Sequence, residues 1–338
     1  MRVITQRRLG GPDVLELVEV ERPVPGAGEV RVRVHAAGVA PVDRMARSGE
    51  SPLFGDPPFT LGRDLSGVVE EVGADVTGLR PGDEVFGMIP GGAYADCVVA
   101  RADHLAPKPA TVDHVHAAAV PAAALTAWQA LVDTGRMGPG RRVLVHAAAG
   151  GVGHIAVQIA KAEGAYVIGT ARADKHAFLR GLGVDEPLDY TTTDFARSVR
   201  DVDVALDLIG GAYGPRTLAT LRPGGLLTSV VLADPGVSAQ DALARGVEFA
   251  PVAVRPSGAT LGKVAALMAA GRVRAHVSAR LPLADAGKAH ELGAAGRTRG
   301  RIVLTLVNGA DETDGAADAA EPTGLEGLEG LEGLEKPV

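Results

Sequence analysis

The residues best suited to chemistry are the glycines of the stretch "VLVHAAAGGVGHIAVQIAKAEG", Val143 to Gly164. Gly150 and Gly153 occupy the second and third positions of a G-x-G-x-x-G pattern, and Ala148 occupies the first. An alanine adds only a methyl group there, provided that its φ is below zero. Such a turn is either a cradle for a dinucleotide pyrophosphate or a structural turn without a ligand.

The surrounding pattern favours the dinucleotide cradle. We predict a strand over Val143 to His146, a helix from about Gly153 and a second strand over Ala165 to Thr170. Gly150 and Gly151 would then let the backbone approach the pyrophosphate, while Gly153 would let the helix pack closely on the strand. The start of the helix would supply free amides and a positive dipole end.

The end of the second predicted strand indicates which nicotinamide cofactor binds. An NAD site usually carries an acid there, which binds the ribose 2′-hydroxyl. This chain reads "GTARADKH", with no acid at Thr170, Ala171 or Arg172. Arg172 and Lys175 are placed to meet a 2′-phosphate, although a solvated basic pair is the alternative. The sequence therefore predicts NADP(H).

Composition and charge exclude several classes of function. The 338 residues carry a net charge of -7 with both signs interspersed, which does not favour nucleic-acid binding. The single cysteine, Cys97, excludes an intrachain disulfide framework and fits a reducing compartment. The first residues contain no apolar region, so we expect no secretory signal. The apolar stretches are far shorter than the roughly 20 residues that span a bilayer. We therefore expect a cytoplasmic protein without nucleic-acid or membrane partners.

The pattern along the chain indicates two folded domains and a tail. Residues 1–120 read as short strands, such as "EVRVRVHAAGV", in a β-barrel or sandwich. Residues 121–256 alternate strands and helices, which predicts a parallel sheet. Residues 257–307 end in "RIVLTLV", which needs a partner sheet and so returns to the first domain. Residues 308–338 form an acidic tail with GLE repeats, predicted to be disordered rather than a partner-binding helix.

Several motifs together resemble the medium-chain dehydrogenases/reductases. They are "AAAGGVG" after a strand, "LGRDLSGVVEEVGADVTGLRPGDEVFG" before it and "GRTRGRIVL" near the end. The resemblance covers about Met1 to Val307, and it is strongest to the zinc-free NADPH:quinone oxidoreductase branch, the zeta-crystallin-like proteins. It implies an α/β fold, with a GroES-like β-barrel catalytic domain and a doubly wound Rossmann domain. It also implies a cleft between the domains and a homodimer.

The resemblance further implies a set of cofactor contacts. Its 2′-phosphate contacts include a tyrosine that matches Tyr190, which by spacing alone is a strand-edge residue. Thr126, in "LTAW", matches a threonine near the nicotinamide, or it is an ordinary threonine inside a helix. The predicted cofactor-binding residues are Thr126, Gly150, Gly151, Val152, Gly153, Thr170, Arg172, Lys175 and Tyr190.

The zinc ligands of metal-dependent relatives are missing. Those relatives carry a cysteine after "AAGV" and a histidine in "GHE", where this chain has Ala40 and Arg63. The sequence offers no third metal ligand near the close pair His114 and His116, so no metal site is predicted. Without zinc to stabilise an alkoxide, a quinone or an α,β-unsaturated carbonyl is the better acceptor, because charge then develops on a delocalised oxygen.

Three side chains are candidates for catalysis: Thr126, Arg63 and Asp43. Arg63 would face the cleft as an oxyanion donor or would pair with a carboxylate, and Asp43 would be structural or catalytic. The asparagine and tyrosine of the quinone reductase pattern "GVN-x-x-D-x-Y" are replaced here by Ala40 and Met45. Protonation by solvent needs no residue, and we favour it.

Two alternative functions stay open. The stretch "HAAAGGVG" is equally similar to polyketide enoyl reductase domains, so an enoyl-thioester reductase is one alternative. A non-catalytic NADPH-binding sensor or structural protein is the other. His146 and His154, on either side of the glycine turn, are predicted to serve packing or to be exposed rather than to do chemistry.

Overall fold

The computed structural model describes residues 1–231 and 234–306, and the predicted tail, residues 308–338, lies outside them. The strands are, in chain order, β1 (Arg2–Gln6), β2 (Glu16–Glu19), β3 (Glu29–Val39), β4 (Phe59–Thr60), β5 (Asp64–Val72), β6 (Glu84–Met88), β7 (Cys97–Arg101), β8 (Leu105–Pro107), β9 (Arg142–Val145), β10 (Tyr166–Ala171), β11 (Glu186–Asp189), β12 (Val202–Asp207), β13 (Leu221–Ser229), β14 (Glu248–Pro251), β15 (Val277–Pro282) and β16 (Arg301–Thr305). The α-helices are α1 (Pro41–Ser48), α2 (His114–Ala118), α3 (Pro121–Trp128), α4 (Gly153–Ala162), α5 (His176–Gly181), α6 (Phe195–Ser198), α7 (Tyr213–Leu218), α8 (Ala239–Leu243), α9 (Gly258–Ala269) and α10 (Ala286–Ala294).

A seven-stranded, mostly antiparallel sheet joins strands from both ends of the described chain. Its order is β15-β16-β3-β5-β6-β8, and β7 also pairs with β3. The alternating pattern of β3 buries Val30, Val32 and Val34, as expected for a strand with one face on a core. β16 runs antiparallel to the end of β3, with Ile302 opposite Val39. This pairing places the start of β16 beside the residues that follow "AAGV".

A second, six-stranded sheet is parallel throughout. Its order is β11-β10-β9-β12-β13-β14. The strand order reverses on the two sides of β9, and in such sheets ligands bind at the carboxyl ends of the strands beside that reversal. The glycine turn follows β9 and leads into α4. The predicted α/β fold, a GroES-like barrel with a Rossmann-type doubly wound sheet, is confirmed.

Helix α3 packs against β6 of the seven-stranded sheet and against α4. Its sequence "PAAALTAW" is apolar on nearly every side, which is the pattern of a helix buried all round. Its alanines share a core with Phe86 and Met88 of β6 and with the packed face of α4. The chain continues beyond Trp128 as a π-helix over Gln129–Thr134. Within residues 1–231 and 234–306, no helix is long and apolar enough to cross a membrane.

Candidate cofactor site

The glycine turn begins with a strained alanine. Ala147 has a φ of 48°, whereas Ala148 is not among the residues with positive φ. A non-glycine residue in the left-handed region costs roughly 1–2 kcal/mol. Ala148, at the first position of the glycine pattern, therefore meets the condition that its φ is below zero. The strained residue is the preceding one, Ala147. The Ala148 amide donates to the Thr170 carbonyl at 3.0 Å, which ties the turn to β10.

Close packing explains why Gly153 is a glycine. A Cβ at this position would overlap the Ala147 carbonyl oxygen and would lie 2.7 Å from Ala148 Cα. Both neighbours are backbone atoms, so neither can move aside cheaply. A Cβ on Gly151 would instead meet the Cδ atom of Arg301 at 3.1 Å. Gly153 thus permits the helix to start against the turn. At Gly151 the missing side chain leaves room for Arg301.

Backbone donors collect where the turn meets α4. The helix begins at Gly153 without a side-chain cap. Among the described residues, the amides of Gly151 and Val152 have no hydrogen-bond acceptor. The first-turn amides of a helix lack intrahelical partners and form its positive dipole end. These donors and the glycine cradle fit a phosphate group.

A cleft of about 380 Å³ opens between the turn and the seven-stranded sheet. One wall is formed by Gly150 and Gly151, and another by Val39, Ala40 and Pro41. The position that holds a zinc ligand in metal-dependent relatives, Ala40, therefore faces the glycine turn. In the part of the chain that the structure describes, no three His, Cys, Asp or Glu side chains are grouped so as to hold a metal ion.

A buried ion pair lies beneath the cleft. The Arg301 guanidinium contacts the Asp64 carboxylate, and their side chains are 3% and 0% exposed. The other Asp64 oxygen accepts from the Ala122 amide at 2.7 Å. Burial raises the pKa of Asp64, and the Arg301 charge opposes that shift. This carboxylate thus joins β5, β16 and the start of α3.

Arg301 also reaches the cleft, and sequence reasoning missed it. The residue lines the cleft beside Gly151. Its Nε atom is buried and has no hydrogen-bond partner among residues 1–231 and 234–306. The motif "GRTRGRIVL" contains this arginine and could have pointed to it. The motif alone does not indicate which of its three arginines reaches the cleft.

The proposed 2′-phosphate residues meet because of strand register. β10 and β11 are parallel neighbours with Ala171 opposite Asp189, so the next residues, Arg172 and Tyr190, lie side by side. The Arg172 Nε atom donates to the Tyr190 hydroxyl at 3.3 Å, and both side chains are exposed. Lys175 follows in a 3-10 turn over Ala173–Lys175. Its Nζ atom donates to the carbonyl of Arg297 at 3.3 Å.

Thr170 turns inward, away from these exposed residues. It is fully buried, and its hydroxyl lies 3.2 Å from His146 Nδ1 and accepts from the Ala147 amide at 3.3 Å. His146 also contacts the Thr217 hydroxyl through Nε2 at 2.9 Å, and burial lowers its pKa to about 3. The Thr170 side chain therefore supports the turn from below. The expectation that His146 serves packing agrees with these contacts.

Asp43 is surrounded by donors from its own domain. Its carboxylate accepts from the Ala40 amide at 2.8 Å, the Gly62 amide at 3.1 Å and the Tyr94 hydroxyl at 3.3 Å. Burial raises its pKa to about 6. These contacts fix the start of α1 against the residues before β5. They give Asp43 a structural role that needs no contact with a substrate.

The other two catalytic candidates are also bonded to backbone. The Arg63 Nε atom donates to the Ile89 carbonyl at 3.3 Å, rather than to the carboxylate that the sequence suggested. The Thr126 hydroxyl donates to the Ala122 carbonyl at 2.6 Å, as a threonine inside a helix does. None of Asp43, Arg63 and Thr126 lines the cleft.

His290 and Arg44 line the cleft, and no motif pointed to either. His290 lies on α10, and its Nε2 atom is 3.4 Å from the Tyr94 hydroxyl. Burial lowers the pKa of His290 to about 4, and the charges of Arg47 and Arg44 contribute. Arg44 lies on α1 and contacts Glu50 at 3.2 Å. Their place at the cleft follows from tertiary packing, which no local pattern records.

Comparison with known proteins gives the family. The alcohol dehydrogenase GroES-like domain matches residues 26–110, and a family described as zinc-binding dehydrogenase matches residues 182–304. The NAD(P)H oxidoreductase RTN4IP1, mitochondrial, of Mus musculus is 33% identical and covers 82% of each chain. The 2-haloacrylate reductase of Burkholderia sp is 39% identical over 71% of this chain and 77% of that protein.

Two further comparisons bear on length and fold. A synaptic vesicle membrane protein VAT-1 homolog of Danio rerio is 37% identical over 68% of this chain, and the match spans about half (49%) of that protein. The structure of Escherichia coli quinone oxidoreductase complexed with NADPH superposes with a TM-score of 0.84 at 30% identity, over 90% of this chain and 100% of that chain. The chain therefore belongs to the medium-chain dehydrogenase/reductase superfamily, in the quinone oxidoreductase branch, and is an NAD(P)H-dependent oxidoreductase.

Proposed function

We propose that this protein transfers hydride from NADPH to a quinone or an α,β-unsaturated carbonyl, without a metal ion. The observation that carries the choice of NADPH is the contact between Arg172 and Tyr190 at the ends of β10 and β11. An acid at this position would select NAD, and the chain has none between Thr170 and Arg172. The NADPH complex of the Escherichia coli relative supports the same choice.

The residues around the glycine turn fit the cofactor. The amides of Gly151 and Val152 would hold the pyrophosphate, and Gly150 and Gly151 would let the backbone approach it. Arg301, whose Nε is buried and unpaired within the described part of the chain, would donate to the same anion. At the other end, Arg172, Lys175 and Tyr190 would bind the 2′-phosphate, as charge-assisted hydrogen bonds favour. When bound, the dihydronicotinamide supplies the hydride.

The metal-free part of the proposal rests on the residues that replace the zinc ligands. One matched family is described as zinc-binding dehydrogenase, yet Ala40 and Arg63 replace the cysteine and the histidine of zinc-dependent relatives. Arg63 is engaged by the Ile89 carbonyl. An acceptor that spreads negative charge over a conjugated system needs no Lewis acid. The name of the Burkholderia relative, 2-haloacrylate reductase, supports a conjugated acceptor.

The contacts of the three catalytic candidates support protonation of the acceptor by solvent. Asp43, Arg63 and Thr126 each bond to backbone atoms and do not line the cleft. No side chain among them is therefore placed to protonate an acceptor bound beside Ala40. The residues of the cleft would instead position the acceptor, and such positioning accelerates hydride transfer.

We further propose that the protein is a homodimer in the cytoplasm. We also propose that residues 1–120 and 257–307 form the catalytic domain and that residues 121–256 form the cofactor-binding domain. β14 ends the six-stranded sheet, and its outer side pairs with no strand within the described residues. Such an edge is suited to pairing with a second copy. The sequence contains a single cysteine, Cys97, which fits a reducing compartment.

Replacement of Arg172 by alanine tests the choice of cofactor. We expect NADPH to bind about 10- to 100-fold more weakly, because a charge-assisted hydrogen bond contributes roughly 1.5–3 kcal/mol. NADH lacks the 2′-phosphate, so its affinity should stay nearly unchanged. Dissociation constants come from titrations followed by cofactor fluorescence. Arg180→Ala, an exposed arginine at the end of α5, is the matched control and should affect neither cofactor. Equal losses for both cofactors would contradict the assignment.

A further inference from the structure

His154 is the second residue of α4, and its side chain is fully buried. Its Nδ1 atom lies 2.9 Å from the Gly150 carbonyl oxygen, and the His276 amide donates to its Nε2 atom at 3.2 Å. Since Nε2 accepts a hydrogen bond, the proton of the neutral imidazole is on Nδ1. Nδ1 therefore donates to Gly150. The ring thus connects the glycine turn to the segment that leads into β15.

The bond to Gly150 fixes the direction of the next amide. A trans peptide unit is planar, and its C=O and N–H point in opposite directions. The Gly150 carbonyl accepts from both the His154 ring and the His154 amide, the latter at 3.1 Å, and a carbonyl oxygen has lone pairs for both. Because that carbonyl is held on the side of α4, the Gly151 N–H is held on the opposite side. Gly151 lines the cleft.

A second residue holds the same segment without touching the turn. The Gln158 amide group donates to the Arg274 carbonyl at 2.9 Å and accepts from the Arg274 amide at 2.9 Å. Gln158 lies one turn beyond His154 on α4 and is also buried. It secures residues 274–276 against the helix as His154 does, but it has no bond to Gly150. A comparison of His154 variants with Gln158 variants can therefore distinguish loss of contact with residues 274–276 from loss of the bond to Gly150.

We propose that His154 is a positioning residue for the cofactor: its Nδ1–H holds the Gly150 carbonyl so that the Gly151 amide is preset to donate to a cofactor phosphate. The inference rests on the proposed NADPH function. A donor that is already oriented loses little freedom when the ligand binds, which raises affinity. His154 thus acts through the glycine turn and does not itself touch the cofactor.

Three variants test the role through NADPH affinity, measured by fluorescence titration, with the melting temperature of the cofactor-free protein measured in parallel. His154→Leu removes the donor, and we expect about tenfold weaker NADPH binding, the effect of roughly one hydrogen bond. His154→Asn keeps an N–H near the Nδ1 position and should restore most of the affinity. Gln158→Leu should lower the melting temperature while leaving the NADPH affinity within about twofold. His154→Met replaces the leucine variant if that variant does not fold.

The results separate this inference from the function on which it rests. If the wild-type protein binds no NADPH, the proposed function is wrong. If the wild type binds NADPH and His154→Leu binds it equally well, the positioning role is wrong. The same conclusion follows if Gln158→Leu weakens binding as much as His154→Leu, or if His154→Asn restores nothing, because the effect would then be one of packing.

Discussion

Replacement of Arg301 by methionine should lower the free energy of unfolding by about 3–5 kcal/mol. The variant keeps most of the apolar stem and removes the charge that faces Asp64, whose side chain is fully buried. An ionised carboxylate left alone in the interior must either stay charged without a partner or take up a proton. Chemical denaturation followed by the fluorescence of Trp128, the single tryptophan, measures the loss.

A double variant is the control for this prediction. Asp64→Asn together with Arg301→Met removes both charges, and the asparagine oxygen can still accept from the Ala122 amide, as Asp64 does. We expect the double variant to recover much of the stability, because an uncompensated buried charge costs more than a neutral pair. A loss below about 1 kcal/mol for Arg301→Met alone would show that Asp64 is not dependent on this arginine.

Replacement of Gly153 by alanine should weaken NADPH binding about 100-fold or more and destabilise the protein by about 3 kcal/mol. The added Cβ would overlap the Ala147 carbonyl oxygen and would lie 2.7 Å from Ala148 Cα. Since both neighbours are backbone, the turn must shift away from the start of α4. That shift would remove the phosphate donors of Gly151 and Val152 from their places. Cofactor titration and chemical denaturation measure the two effects.

Gly262→Ala is the matched control for Gly153→Ala. Gly262 lies inside α9, and a Cβ there would meet no atom within 4 Å. Alanine is favoured over glycine inside a helix by roughly 0.5–1 kcal/mol, so this variant should be slightly more stable and should bind NADPH normally. If Gly153→Ala behaved like Gly262→Ala, close packing at the turn would not explain the glycine.

Local patterns in the sequence were sufficient to predict the elements around the turn. The strand before the turn is Arg142–Val145 rather than Val143 to His146, and α4 begins at Gly153 as predicted. The parallel sheet followed from strands alternating with helices, since βαβ units allow few other arrangements. Helix α3, which begins at Pro121, continues as a π-helix from Gln129, which residue spacing does not reveal.

Contacts between distant residues could not be predicted in the same way. Arg172 meets Tyr190 only because β10 and β11 pair in one particular register, and the resemblance to a family was needed to suggest it. Asp64 and Arg301 are 237 positions apart, and their ion pair depends on β16 joining the sheet of β3. No sequence pattern distinguishes a buried carboxylate that holds backbone amides, as Asp43 does, from one that transfers a proton.

NADPH oxidation by the purified protein is the measurement that tests the proposed function most directly. The assay follows loss of NADPH with a quinone, an alkenal and an enoyl thioester, each with and without a metal chelator. We predict turnover with the quinone or the alkenal, unchanged by the chelator and faster with NADPH than with NADH. Turnover restricted to the enoyl thioester, activity abolished by the chelator, or NADPH binding without turnover on any acceptor would contradict it.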